Sequence, residues 1–153
     1  MKQSAGLLLW RRRDAGIEVF LVHPGGPYWQ RKDDGAWSIP KGEFEAPESP
    51  LDAARREFVE ETGLAVHGEG VPLPPVRQAG GKTVHPFALE ADVDPARLRS
   101  NRFGIEWPPR SGRVRQFPEV DRAGWFTPEV AQRKLVAGQR PMLEALRALL
   151  ERR

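Results

Sequence analysis

At 153 residues, with 39% hydrophobic and 29% charged side chains, the chain has the length of one domain that buries about two-thirds of its unfolded surface in a single core. It has no cysteine, which excludes disulfides, thiolate metal sites and cysteine nucleophiles, and the apolar run Ala5–Trp10 is too short for a membrane span or a signal core. A net charge of +3 and a sequence pI near 9.7 favour acidic partners such as polyphosphates and leave nucleic acid open without indicating it, so the expectation is one domain over residues 1–153, free of membrane and cytoplasmic.

Ala5–Trp10 and Ile17–His23 read as two strands, rich in the apolar and β-branched residues of a buried sheet, joined by a polar turn through Asp14, Ala15 and Gly16. Pro24, Gly25, Gly26 and Pro27 then break regular structure, and the segment to Gly35 is a polar loop carrying Tyr28, Trp29 and Lys32. Trp37–Gly42, reading WSIPKG, is a short extended piece.

From Gly42 the sequence runs GEFEAPESPLDAARREFVEETGL. Ser49 and Pro50 make a helix start, since a serine hydroxyl caps free backbone N–H groups and proline's fixed φ suits the first helical position; Gly63 makes the stop. At 100° per residue Leu51, Ala54 and Phe58 share one face, while Glu57, Glu60 and Glu61 share another. Like charges at these spacings cost about 0.2–0.5 kcal/mol per pair. A hard divalent cation would offset that repulsion, because magnesium binds through a few carboxylates plus substrate phosphate oxygens. Arg56, four residues before Glu60 and beside Glu57, is placed to fix a carboxylate's orientation.

Val71–Arg77 and Thr83–Val93 read as further strands; the second crosses Pro86, which suggests an edge or a bulge. Arg99–Pro118 lacks periodicity and reads as a long functional loop. Val120–Phe126 reads as a last strand, Thr127 and Pro128 start a helix, and a final helix from Pro141 carries Leu143, Leu146, Leu149 and Leu150 on one core-facing stripe. His23, His67 and His85 are spaced too irregularly for a ligand set and read as structural. Trp29 and Trp107, both in polar loops, are candidates to stack on a nucleobase or to anchor local packing. Periodicity by itself shows only α/β or α+β.

Gly42, Glu48, Arg56, Glu57, Phe58, Glu60, Glu61, Gly63 and Leu64 occur at the spacing of the Nudix box, which the segment resembles with no departure. Its seven invariant positions, each matched by chance at about one in fifteen, make coincidence a poor account. The resemblance implies the α/β Nudix fold, a mixed β-sheet sandwiched between α-helices, with the box as loop–helix–loop. It implies that Glu57, Glu60 and Glu61 are ligands of magnesium, with manganese as the alternative. The Gly42 carbonyl would complete the coordination, Arg56 would orient the glutamates, and Glu48 would cap or support the helix entrance. Some family members take their general base from the box and others from a later loop shortly before a strand bearing tryptophan; Glu119, six residues before Trp125, has that place. Lys41, Arg110, Arg113 and Arg115 are candidates for the flanking phosphates, since guanidinium groups match phosphate oxygens bidentately.

WSIPKG is similar to the lead-in of relatives that cleave dinucleoside polyphosphates, although Gly80 and Gly81 stand where many of those carry a tyrosine. The activity implied is magnesium-dependent hydrolysis of a diphosphate linkage in a nucleoside diphosphate linked to another group, a dinucleoside polyphosphate or nucleoside triphosphate. Two alternatives stay open: pyrophosphohydrolysis at RNA 5′ ends, and a non-catalytic module that senses nucleotide. The family's isopentenyl diphosphate isomerases are disfavoured, because their protonation chemistry typically uses a cysteine this chain lacks.

Overall fold

Strand β1 (Gln3–Arg13) is the axis of the molecule, and its apolar run explains why. Leu7 and Leu9 point to one face of the sheet and Leu8 and Trp10 to the other, so the strand must be covered on both sides. The computed structural model describes residues 2–14 and 16–152; Ala15, in the expected turn, lies outside the described residues, as do the two end residues of the expected 1–153 domain. β2 (Gly16–Pro24) pairs antiparallel with β1, with Arg13 opposite Gly16, and β3 (Lys41–Glu43) pairs antiparallel with its beginning. β4 (Val71–Pro72), β5 (Val76–Gln78), β6 (Lys82–Glu90) and β9 (Val120–Phe126) complete a mixed seven-stranded sheet in the order β4-β6-β1-β2-β9, with β3 on β1 and β5 on β6. β1 and β6 run parallel.

Helix α1 (Pro50–Thr62) covers one face through Ala53, Ala54 and Phe58, which pack on Leu7, Leu9, Phe20 and Leu89. The opposite face, with Leu8, Trp10, Val19 and Leu21, lies under α2 (Pro128–Lys134) and α3 (Pro141–Glu151), which contribute Ala131, Met142, Leu143 and Leu146. This is the sandwich the resemblance implies. The starts of α1 and α2 form as their residues dictate: Ser49 Oγ accepts the Asp52 N–H at 3.2 Å, and Thr127 Oγ1 accepts the Val130 N–H at 3.4 Å. Gly63 closes α1 at φ 68°, where a side chain would be strained. Among the described residues no helix is long and apolar enough to cross a membrane.

Three expectations need correction. Arg99–Pro118 is not a structureless loop: β7 (Arg102–Glu106) and β8 (Val114–Pro118) form a separate two-stranded antiparallel arm, with Phe103 opposite Phe117. The expected strand Val71–Arg77 is two short strands, since Pro74 and Pro75 fall between β4 and β5 and cannot donate to a ladder. Pro86 lies neither on an edge nor at a bulge; β6 is an inner strand between β1 and the β4–β5 edge. Pro86 O accepts the Leu73 N–H at 2.9 Å, so the proline's missing N–H faces the gap between β4 and β5, where no partner strand requires it.

Candidate active site

The site grows from a split in the sheet. Along one edge β1 is paired by β6 from Gln3 to Trp10; along the other it is shared, by β3 at Ser4–Gly6 and by β2 from Trp10 onward. The chain before β3 fills the fork. Leu7 N donates to Pro40 O at 3.2 Å, and Ser38 and Val22 exchange both backbone hydrogen bonds at 2.8 and 3.0 Å. Residues 38–42 thus run beside the carboxylate face of α1, and a cavity of about 290 Å³ opens beside them, lined among others by Trp29, Lys41, Glu61 and Glu119.

Arg56 is the hub of the acidic face. Its Nε and Nη2 grip Glu48 bidentately at 2.8 and 2.9 Å, while Nη1 donates to Glu57 at 2.8 Å and to Glu60 at 3.2 Å. The hydrogen bonds from Arg56 hold the Glu48 carboxyl below the usual range, and Glu48 in return raises the Arg56 guanidinium. Glu48 therefore supports Arg56 and does not cap the helix, a task Ser49 performs.

Glu57 and Glu61 face the fork. Gly42 admits Glu57, whose carboxylate lies where a Cβ would sit, 1.6 Å from that position at Oε2. Burial pushes the Glu57 carboxyl up, Arg56 pulls it back, and Glu60 pushes it up again. Glu61 accepts the Lys41 backbone N–H at 3.4 Å, and burial, opposed by Lys41 and aided by Glu57 and Glu119, lifts its carboxyl to about 8. The Lys41 ammonium is lowered by burial, with Lys82 adding repulsion while Glu61 and Glu43 pull it back. For both members of the Lys41–Glu61 pair, loss of water outweighs their mutual attraction. Glu119 arrives from another direction, at the turn between β8 and β9, fixed by backbone bonds from Glu119 N to Asn101 O at 2.7 Å and from Gly25 N to Glu119 O at 2.8 Å.

Lys41, Glu57, Glu61 and Glu119 are thus brought together, with Glu60 and Arg56 on the outer side of the same helix face. Arg110, Arg113 and Arg115 are elsewhere: all three are exposed on the β7–β8 arm, and none lines the cavity. Arg115 lies 5.5 Å from the Phe117 ring centroid. Trp29 lines the cavity with part of its ring exposed, whereas Trp107 packs edge-on against Tyr28 at 5.3 Å. His23 is buried between Asp121, at 2.8 Å, and the Lys32 carbonyl, at 2.6 Å, a structural placement. Sequence reasoning missed Ser38, Gln78 and Gln139, which join hands by hydrogen bonds at the cavity floor. Ser38 lies within WSIPKG; Gln78 and Gln139 carry no local signal.

Among the described residues no group of three or more acidic or histidine side chains stands close enough, as oriented, to enclose a metal ion. Arg56 accounts for this, drawing Glu57 and Glu60 onto itself. The donor chemistry nevertheless fits a hard divalent cation: Glu57, Glu60, Glu61 and the Gly42 carbonyl offer only oxygens, and the bare Cα of Gly42 leaves the cradle into which Glu57 leans.

A NUDIX domain model matches residues 2–146, and the chain belongs to that family. An octanoyltransferase of Myxococcus xanthus is 36% identical over 101 residues, 66% of this chain and 25% of that protein, so the chain spans about a quarter of that relative's length. An Ap4A hydrolase of C. elegans superposes with a TM-score of 0.65 at 22% identity, covering 100% of both chains. The NUDIX domain of Shewanella oneidensis NrtR, solved with ADP ribose, superposes at 0.64 with 19% identity, covering 97% of this chain and 87% of that one. At such identities these two structures establish the fold alone.

Proposed function

We propose that the chain is a magnesium-dependent hydrolase that cleaves the diphosphate linkage of a nucleoside diphosphate joined to another group, a dinucleoside polyphosphate or a nucleoside triphosphate. The observation that carries this reading is the meeting of Glu61 and Glu119 with Lys41 in the lining of one cavity, with Glu57 near enough to act on the Glu61 charge. Glu57, Glu60, Glu61 and the Gly42 carbonyl would hold the cation, with manganese as the alternative to magnesium. When bound, the cation supplies neutralisation of the diphosphate oxygens and lowers the pKa of the attacking water.

The remaining work falls to the chain's own residues. Arg56, anchored by Glu48, keeps Glu57 and Glu60 aimed to one side of α1. Lys41 binds a phosphate oxygen, whose negative charge favours the ammonium form that partial burial disfavours. The Glu119 carboxylate accepts a proton as the water oxygen bonds to phosphorus and the bridging P–O bond breaks toward the leaving phosphate. Arg110, Arg113 and Arg115 would serve a longer phosphate chain by way of the arm. The Ap4A in the name of one neighbouring hydrolase and the ADP ribose bound in the other structure are compatible with this substrate class.

The test is an assay of nucleotides and dinucleotides with magnesium in isotopically labelled water. One labelled oxygen should appear on a phosphate product and none on carbon; an intact diphosphate after exhaustive incubation would overturn the reading.

The arm supports a second reading, hydrolysis at RNA 5′ ends. Arg102, Arg110, Arg113 and Arg115 are exposed on it without an ion-pair partner among the described residues. Binding of a triphosphorylated RNA that weakens steeply with salt would favour this substrate, because phosphate contacts release counterions.

A further inference from the structure

The cavity floor has a hydrogen-bond polarity fixed by the backbone. The buried Ile39 N–H, which can only donate, lies 3.0 Å from Gln139 Oε1 and so settles which end of that amide is oxygen. Gln139 is fully buried, and its Nε2 places its hydrogens on Ser38 Oγ at 2.9 Å and on Gln78 Oε1 at 2.8 Å. Ser38 Oγ spends its own hydrogen on the Ile39 carbonyl at 2.7 Å, which leaves it an acceptor toward Gln139. Turning the Gln78 amide over would set nitrogen against nitrogen. Gln78 is therefore locked with its oxygen on Gln139, and its Nε2 keeps two N–H bonds that meet no partner among the described residues.

This arrangement is built into the packing. A Cβ on Gly138 would come 2.5 Å from the Arg77 carbonyl oxygen and 2.9 Å from Gln78 Cα, so only glycine lets the turn at Ala137–Gln139 press against β5. The rest of the cavity suits a flat, apolar-faced ligand: Val22, Val120 and Val136 line it, and Trp29 offers a partly exposed ring with Lys32 Nζ 4.9 Å from its centroid.

We propose that this cavity receives the base of the nucleotide and that Gln78 is its specificity-determining residue, selecting a base edge of two acceptors, the O6 and N7 of guanine or hypoxanthine, over adenine. Guanine presents two acceptors there, whereas adenine presents an acceptor and an amino donor. The adenine amino group would meet the Gln78 amino group, and Gln78 cannot turn to relieve the clash without breaking its contact with Gln139. Desolvated donors left unpaired in this way reject a ligand more strongly than a missing apolar contact does. The inference rests on the nucleotide reading above, with the diphosphate at the glutamates.

Calorimetric titration of the whole chain with GDP, IDP and ADP in magnesium tests it, with inorganic diphosphate as the control for the phosphate end. GDP and IDP should bind at least about tenfold more tightly than ADP. Gln78→Leu, which keeps the size and loses the donors, should bring the three affinities together, and Gln78→Glu, which offers acceptors only, should turn the preference toward ADP. Unchanged diphosphate binding shows that the variants are folded. ADP binding as tightly as GDP, a preference that survives both substitutions, or no nucleotide binding at all would overturn the proposal. Failure of the hydrolase reading shows separately, as an unbroken diphosphate in labelled water whatever the base preference.

Discussion

The Glu57 carboxylate rests on the bare Cα of Gly42, two residues brought together from a strand and a helix, with no room for a methyl group between them. Gly42→Ala should therefore expel Glu57 from the fork without touching the core, because the nearest obstruction is a side-chain end. A displacement of this size should lower kcat by about 100-fold or more. Steady-state kinetics beside a thermal melt checks it; a fully active, normally melting G42A would show that Glu57 need not sit there.

The glutamates should separate by role. Glu60→Gln or Glu61→Gln should reduce kcat by at least about 100-fold, the scale of a lost metal or general-base function. Glu119→Gln should depress kcat while leaving KM near its normal value, the pattern of an interaction made only in the transition state. An unchanged turnover in E119Q would make Glu119 a solvated acid of the β8–β9 turn and move the base into α1.

Arg56→Lys tests whether charge or shape matters at the hub. A lysine keeps the charge but cannot hold Glu48 with two parallel bonds while reaching Glu57 and Glu60. Magnesium affinity should fall about 10- to 100-fold, the usual effect of losing a residue that orients ligands. Restoration of affinity by the single amine, read by magnesium titration, would reduce Arg56 to a surface ion pair.

The legible parts of this molecule are those whose signals are local. Ser49, Pro50 and Gly63 bound a helix because each acts on backbone within a few residues, and the α3 leucines show their face by spacing alone. The β7–β8 arm was hidden although Phe103, Ile105 and Phe117 do alternate, because Gly104, Pro108, Pro109 and Gly112 read as breakers and the arm packs apart from the main sheet. At the site the box named the acids and their hub. The floor could not be found this way: Gln139 bonds partners 61 and 101 residues distant, and a buried glutamine leaves no pattern in its own neighbourhood.

The metal-free protein should lose stability as pH rises. The Glu61 carboxyl, about 8 in the folded chain against 4.5 in the unfolded one, binds its proton more tightly when folded, so the native state holds more protons between those values. Its contribution is fully present below about 4.5, declines through the interval and is gone above about 8, where folding must bury an ionised carboxylate beside Glu57 and Glu119. With chelator present, the Tm should drop by at least a few degrees between pH 5 and pH 8, given about 2–4 °C per kcal/mol for a chain of this size. Glu61→Gln, which carries no titrating group, should flatten that slope, and magnesium should do the same for the unaltered protein by favouring the ionised form. A melting temperature in chelator that rises over this interval, or an identical slope in E61Q, would mean that Glu61 is not the group that titrates.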